Sequence, residues 1–170
     1  MIQKQQLGVG MFEVLVALFI LAIGVLGFSA LQLRAVDATI EANEKTVAMS
    51  LARDLAERIR INRLALENYR TAINTRVTNN TCFPTNPAVS YAPTCTPALM
   101  AQYDAREILA LATNQNQQIV MRNCDGSERV CIYVAWGNTN ITSDNVTQCM
   151  VSGSYRPDAK CVVMEAFPRD

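Results

Sequence analysis

Hydrophobic and polar positions fall into three regimes along the chain. Val14 to Leu33 is a run of twenty residues without a formal charge, and at the helical rise it spans ~30 Å, the thickness of a bilayer's hydrocarbon core. The run predicts a membrane-spanning helix. Beyond it Val36, Ile40, Val47, Leu51, Leu55, Ile59 and Leu66 recur at steps of four or seven beside Asp37, Glu41, Glu44, Arg53, Asp54 and Arg58, the pattern of a helix with a narrow apolar stripe packed on a globular body. Neither Gly nor Pro occurs between Phe28 and Phe83. One uninterrupted helix is therefore expected from about Met11 into the sixties or low seventies, ~80 to 90 Å long.

The third regime is mixed. From Asn74 to Pro97 the chain turns to Thr, Asn and Pro, with Pro84, Pro87, Pro93 and Pro97 excluding regular structure, so a long loop is expected. Ala98 to Thr113 reads as an amphipathic helix through Leu99, Tyr103, Ile108, Leu109 and Leu111, followed by a polar connector at Asn114 to Gln118. Ile119 to Arg122, Val130 to Trp136 and Lys160 to Phe167 are rich in β-branched and aromatic residues, and Asp125-Gly126 is a hairpin signal between the first two. The polar stretch Gly137 to Asp158 is read as an excursion between the second and third strands. Helices followed by a small antiparallel sheet make the fold class α+β.

Composition narrows the chemistry. The 170 residues carry 15 Lys+Arg against 15 Asp+Glu and no His, which provides no positive surface for nucleic acid and removes imidazole bases, His zinc ligands and the Ser-His and Cys-His nucleophile pairs. Asp144, Asp158 and Glu165 form no acid–base constellation. Arg58, Arg60, Arg63 and Arg70 are interleaved with Glu57 and Glu67 and read as a solvated face, while Trp136 reads as a core or sheet-face aromatic. No metal and no cofactor are expected.

The six cysteines, Cys82, Cys95, Cys124, Cys131, Cys149 and Cys161, all follow the apolar run, with no C-x-x-C spacing. Disulfides in an oxidising compartment fit this use better than a metal site. Cys82 and Cys95 bracket the Pro-rich loop and are the best-supported pair, worth about 3 kcal/mol in the chain-entropy model, and Cys149 is within reach of Cys161. Fifteen connectivities remain open.

Glu13 stands at the head of the apolar run, where neither a secretory signal nor a plain anchor has reason to place a carboxylate. Gln6-Leu7-Gly8, then Val9-Gly10-Met11-Phe12-Glu13, then the run from Val14 resembles the class III signal of the type IV prepilins: a polar leader ending in Gly and a Glu five residues into the mature chain. The resemblance implies cleavage between Gly8 and Val9 by a prepilin peptidase, N-methylation of Val9, and pairing of the Glu13 carboxylate with the new amine of a neighbouring subunit. Val9 departs from the Phe more often found at the first mature position, and the rival register, cutting after Gly10, would put Glu13 third. Opposite charges in a low dielectric attract far more strongly than in water, so such a pair would set helix register. Gly24 and Gly27 interrupt the anchor; they are read either as sites of close helix approach or as a soft spot that lets the helix stretch in a fibre.

The resemblance extends to Val130–Gly137 and Cys161–Pro168. It implies a leader at 1–8, a transmembrane half-helix at 9–33, a periplasmic half-helix at 34–73 and a C-terminal loop-and-sheet domain at 74–170. It further implies a non-enzymatic minor pilin that helps initiate a type IV pilus at or near its tip, serving adhesion and twitching motility. Implied partners are other minor pilins, the major pilin, a tip adhesin, the peptidase/methylase and the inner-membrane assembly platform. A type II secretion pseudopilin and a single-pass periplasmic binding or receptor domain remain as alternatives.

Overall fold

With no Pro before Pro84, and with Gly24 and Gly27 accommodated inside it, backbone hydrogen bonding runs unbroken through α1, Met11–Ile61, 51 residues. The computed structural model describes residues 10–78, 82 and 95–166. The chain divides into two units, residues 1–42 and 43–170.

In the first unit the described residues of α1 carry apolar side chains on every face, and almost all are exposed: Phe12, Leu15, Phe19, Leu21, Leu26 and Leu31 among them. The hydroxyl of Ser29, inside the apolar run, donates to the Val25 carbonyl one turn earlier (2.9 Å), as Thr39 does to Ala35 (2.8 Å). Both polar groups are thus satisfied within the helix, as an apolar solvent requires. By length and composition α1 suffices to cross a membrane. Of the amphipathic stripe, Val36 and Ile40 stay exposed.

In the second unit α1 buries Ala48, Leu51, Ala52, Leu55 and Ile59. Of the expected range, the sixties or low seventies, the helix reaches only Ile61, and the continuation into the low seventies is corrected here. Asn62 leaves the helical region (φ −118°, ψ 48°), a short 3₁₀ turn covers Arg63–Ala65, and α2 is a separate helix, Leu66–Asn74. The cause is tertiary. The Asn62 side-chain amide donates to the Pro97 carbonyl (2.8 Å), and the redirected α2 buries Tyr69, Ala72 and Ile73. The next helix, α3, Pro97–Asn114, starts as its sequence dictates, with Pro in the first turn and the Thr96 hydroxyl accepting the Leu99 N–H.

Three strands follow: β1, Gln118–Asn123; β2, Val130–Ala135; and, after an excursion, β5, Cys161–Glu165. They form an antiparallel sheet in the order β1-β2-β5, with Met121 opposite Ile132 and Ile132 opposite Met164. Because successive side chains point to opposite faces, the sheet serves two cores. Ile119, Met121, Val130, Ile132, Val134 and Val162 pack on the helices. Val120, Cys131, Tyr133, Ala135 and Cys161 form the other core with Ile141, Val146 and Cys149. The polar excursion is therefore a cover for the outer face. It contains a hairpin that the sequence pattern did not predict, β3 (Met150–Val151) with β4 (Ser154–Tyr155). Ser152 and Gly153 at its tip both have positive φ, 52° and 76°, the backbone of a tight two-residue turn that glycine favours.

Candidate functional site

The residues singled out by the prepilin resemblance lie at the start of α1. Gly8 and Val9, the implied cleavage and methylation positions, and the leader 1–8 lie outside the described residues. Glu13 lies in the first helical turn, its N–H donating to the Gly10 carbonyl (2.9 Å). There its carboxylate faces the positive end of the helix dipole, an arrangement that favours an anion. Its side chain is exposed beside Phe12, Val14 and Leu15, and it forms no ion pair with another described residue.

Gly24 and Gly27 are inside the continuous α1, and a Cβ added at either would meet nothing within 4 Å. No packing among the described residues calls for a missing side chain there. What the two glycines change is the helix itself, which each weakens by roughly 0.5 to 1 kcal/mol relative to Ala.

The cysteines form three bridges: Cys82–Cys95, Cys124–Cys131 and Cys149–Cys161. The second spans the β1–β2 hairpin, whose turn is also held by Tyr133, its hydroxyl accepting the Asp125 N–H (3.0 Å). The third ties the covering excursion to β5. Both belong to the outer face of the sheet.

Arg58 differs from the solvated-face reading. Its guanidinium donates to Asp54 (2.9 Å) and to Asp104 of α3 (2.7 Å), and the other Asp104 oxygen accepts the Tyr69 hydroxyl of α2 (2.5 Å). Hydrogen bonding to Asp54 holds the Arg58 guanidinium above its ordinary range, against the opposing effect of burial, with Asp104 adding to the rise. Burial, then the bond to Asp104, pushes the Tyr69 phenol up. This cluster joins α1, α2 and α3 and is structural. Its sequence signal was Asp104 itself, a carboxylate on the apolar stripe Ala101, Ala105, Ile108 and Ala112, where only a paired charge is tolerated. Arg60 keeps the solvated-face role, pairing with Glu57 at the surface. Glu165 pairs with Arg129 (2.9 Å), and Trp136 is buried in the helix-side core.

Among the described residues no group of three or more Cys, Asp or Glu side chains is placed to hold a metal ion. No curated protein and no solved structure matches the chain. Residues 30–106, less than half of it, match the family model of the type IV pilin Tt1218. That stretch includes the second half of α1, α2, the Cys82–Cys95 bridge and the Asp54–Arg58–Tyr69–Asp104 cluster. The match supports a type IV pilin, with membrane anchoring and a pilus as its setting; with the apolar α1, the small antiparallel sheet and the three disulfides it makes this an α+β, pilin-like fold.

Proposed function

We propose that the chain is a minor pilin of a bacterial type IV pilus, similar to the minor pilin PilV in Val130–Gly137 and Cys161–Pro168. In this reading it is a structural and assembly protein, not an enzyme. It is held in the inner membrane by residues 9–33 with residues 34–170 on the periplasmic side, and is later carried into the fibre at or near its tip. Prepilin peptidase cuts between Gly8 and Val9 and the new terminus is methylated. Other minor pilins, the major pilin, a tip adhesin and the inner-membrane platform are its partners.

The observation that carries the reading is Glu13, an exposed carboxylate in the first turn of α1, immediately before the uncharged stretch Val14 to Leu33. In lipid that charge is costly alone and tolerable when paired; cleavage before Val9 would free an amine four residues before it in the sequence. Gly24 and Gly27 then act as a soft spot during extraction of the helix from the bilayer. Intact-mass measurement of native membrane material tests this: loss of residues 1–8 with a single added methyl is expected. A retained Met1 terminus would overturn it in favour of a single-pass receptor. A type II secretion pseudopilin has the same processed terminus, and recovery of the protein in purified pili rather than with a secretion complex separates the two.

A further inference from the structure

The two edges of the sheet are closed differently. At the β1 edge Asn74 donates to the Met121 carbonyl (2.7 Å) and accepts the Met121 N–H (3.0 Å), so one amide side chain stands in for a neighbouring strand. At the β5 edge the ladder to β2 continues the bonds Ala166 N–H to Val130 (2.9 Å) and Trp136 N–H to Lys160 (3.0 Å). By the alternation of an antiparallel pair, Val162 and Met164 then bond inward, and Cys161, Val163 and Glu165 turn their main-chain groups outward. Among the described residues only the Val163 N–H is capped, by the hydroxyl of the half-exposed Tyr155 (3.0 Å).

Beside this edge runs a groove of about 350 Å³ lined by Met49 of α1, by Val162, Val163 and Met164 of β5, by Tyr155, and by Lys45 as its one charged side chain. Two methionines make its floor adaptable. Lys45 pairs with no carboxylate among the described residues.

We propose that the β5 edge is a docking site for an extended segment of another protein, which adds as a further strand with apolar side chains at alternate positions and an acidic residue against Lys45. Main-chain bonds to Cys161, Val163 and Glu165 supply affinity and the groove supplies selectivity. A second copy of this chain fits less well: the acid its own β5 would bring, Glu165, is already engaged by Arg129 at 2.9 Å. The Tyr155 hydroxyl occupies the central donor and competes with the incoming strand. The proposal does not depend on the pilin reading.

The test uses the full chain in detergent micelles and two blocked hexapeptides of alternating Val and Thr, one ending in Glu and the other in Lys. Hydrogen exchange at the Val163 and Glu165 amides is the readout. The Glu peptide is expected to protect both amides and the Lys peptide to bind more weakly. Lys45→Glu should reverse that preference. Tyr155→Phe should tighten binding by about fivefold, the factor for one net hydrogen bond, and Val163→Pro, which removes the outward donor but no ladder bond to β2, should abolish protection of Glu165. Failure of the Glu peptide to protect these amides would overturn the proposal, as would undiminished binding by Val163→Pro. Protection that appears without peptide on raising the protein concentration would assign the edge to a second copy and equally overturn it.

Discussion

Asp104 lies on the inward face of α3 and is buried, yet it is fully engaged: one oxygen takes the Arg58 guanidinium and the other the Tyr69 hydroxyl. Tyr69→Phe removes one of these bonds and is expected to lower stability by about 1 to 2 kcal/mol in urea unfolding. The pH dependence follows from the direction of the shift. Burial and Asp104 raise the Tyr69 phenol in the folded state, so the unfolded chain loses this proton first. The stabilisation is present below the ordinary value of about 10 and is lost as pH rises above it. Melting between about pH 9 and about pH 11 should therefore fall more steeply for the native protein than for Tyr69→Phe. At Glu13 the expectation concerns assembly. If the proposed pairing holds, Glu13→Ala would leave the partner amine unpaired in lipid, a loss on the order of 3 to 5 kcal/mol, or roughly a hundredfold or more in an equilibrium. The melting of residues 43–170 should be unchanged while recovery with pilin partners collapses; unchanged recovery would refute the pairing.

At the scale of elements, apolar periodicity located the second part of α1 and α3, each of which buries one face, while enrichment in β-branched and aromatic residues located the three main strands. Ala98–Thr113 was read for a helix that runs Pro97–Asn114, and Val130–Trp136 for a strand at Val130–Ala135. The break at Asn62 escaped, since no Gly or Pro marks it and the bond that holds it reaches Pro97, 35 residues away. The hairpin β3–β4 escaped because two-residue strands carry no alternation; Ser152-Gly153 was its one local sign. Asn74 illustrates an element finished by a side chain. Asn74→Ala leaves the Met121 N–H and carbonyl of the β1 edge without their partner, and an expected cost of about 1 to 3 kcal/mol should appear as faster hydrogen exchange at Met121. An unchanged exchange rate there would show that water closes this edge equally well.

For the whole molecule, the division at residues 42 and 43 separates two ways of satisfying apolar surface. Every buried core residue of the second unit lies at or beyond Ala48, so a fragment beginning at Asn43 is expected to fold, to remain soluble and to titrate no free thiol. Aggregation of that fragment would mean that the first unit supplies part of the fold. Among its described residues the first unit has no such core, and its apolar residues face outward around the helix. Lipid or neighbouring helices must cover them, because an exposed apolar face of this extent does not persist in water.

The apolar run of α1, the helix α3, the three main strands and the use of the cysteines in disulfides were legible in the residues, because each rests on local spacing or composition. Decided only in three dimensions were the turn at Asn62, the engagement of Arg58 by Asp104, the use of the polar stretch 137–160 as a cover for the outer sheet face, and the unequal closing of the two sheet edges. Each of these joins positions distant in sequence, and periodicity along one segment carries no information about which other segment will meet it.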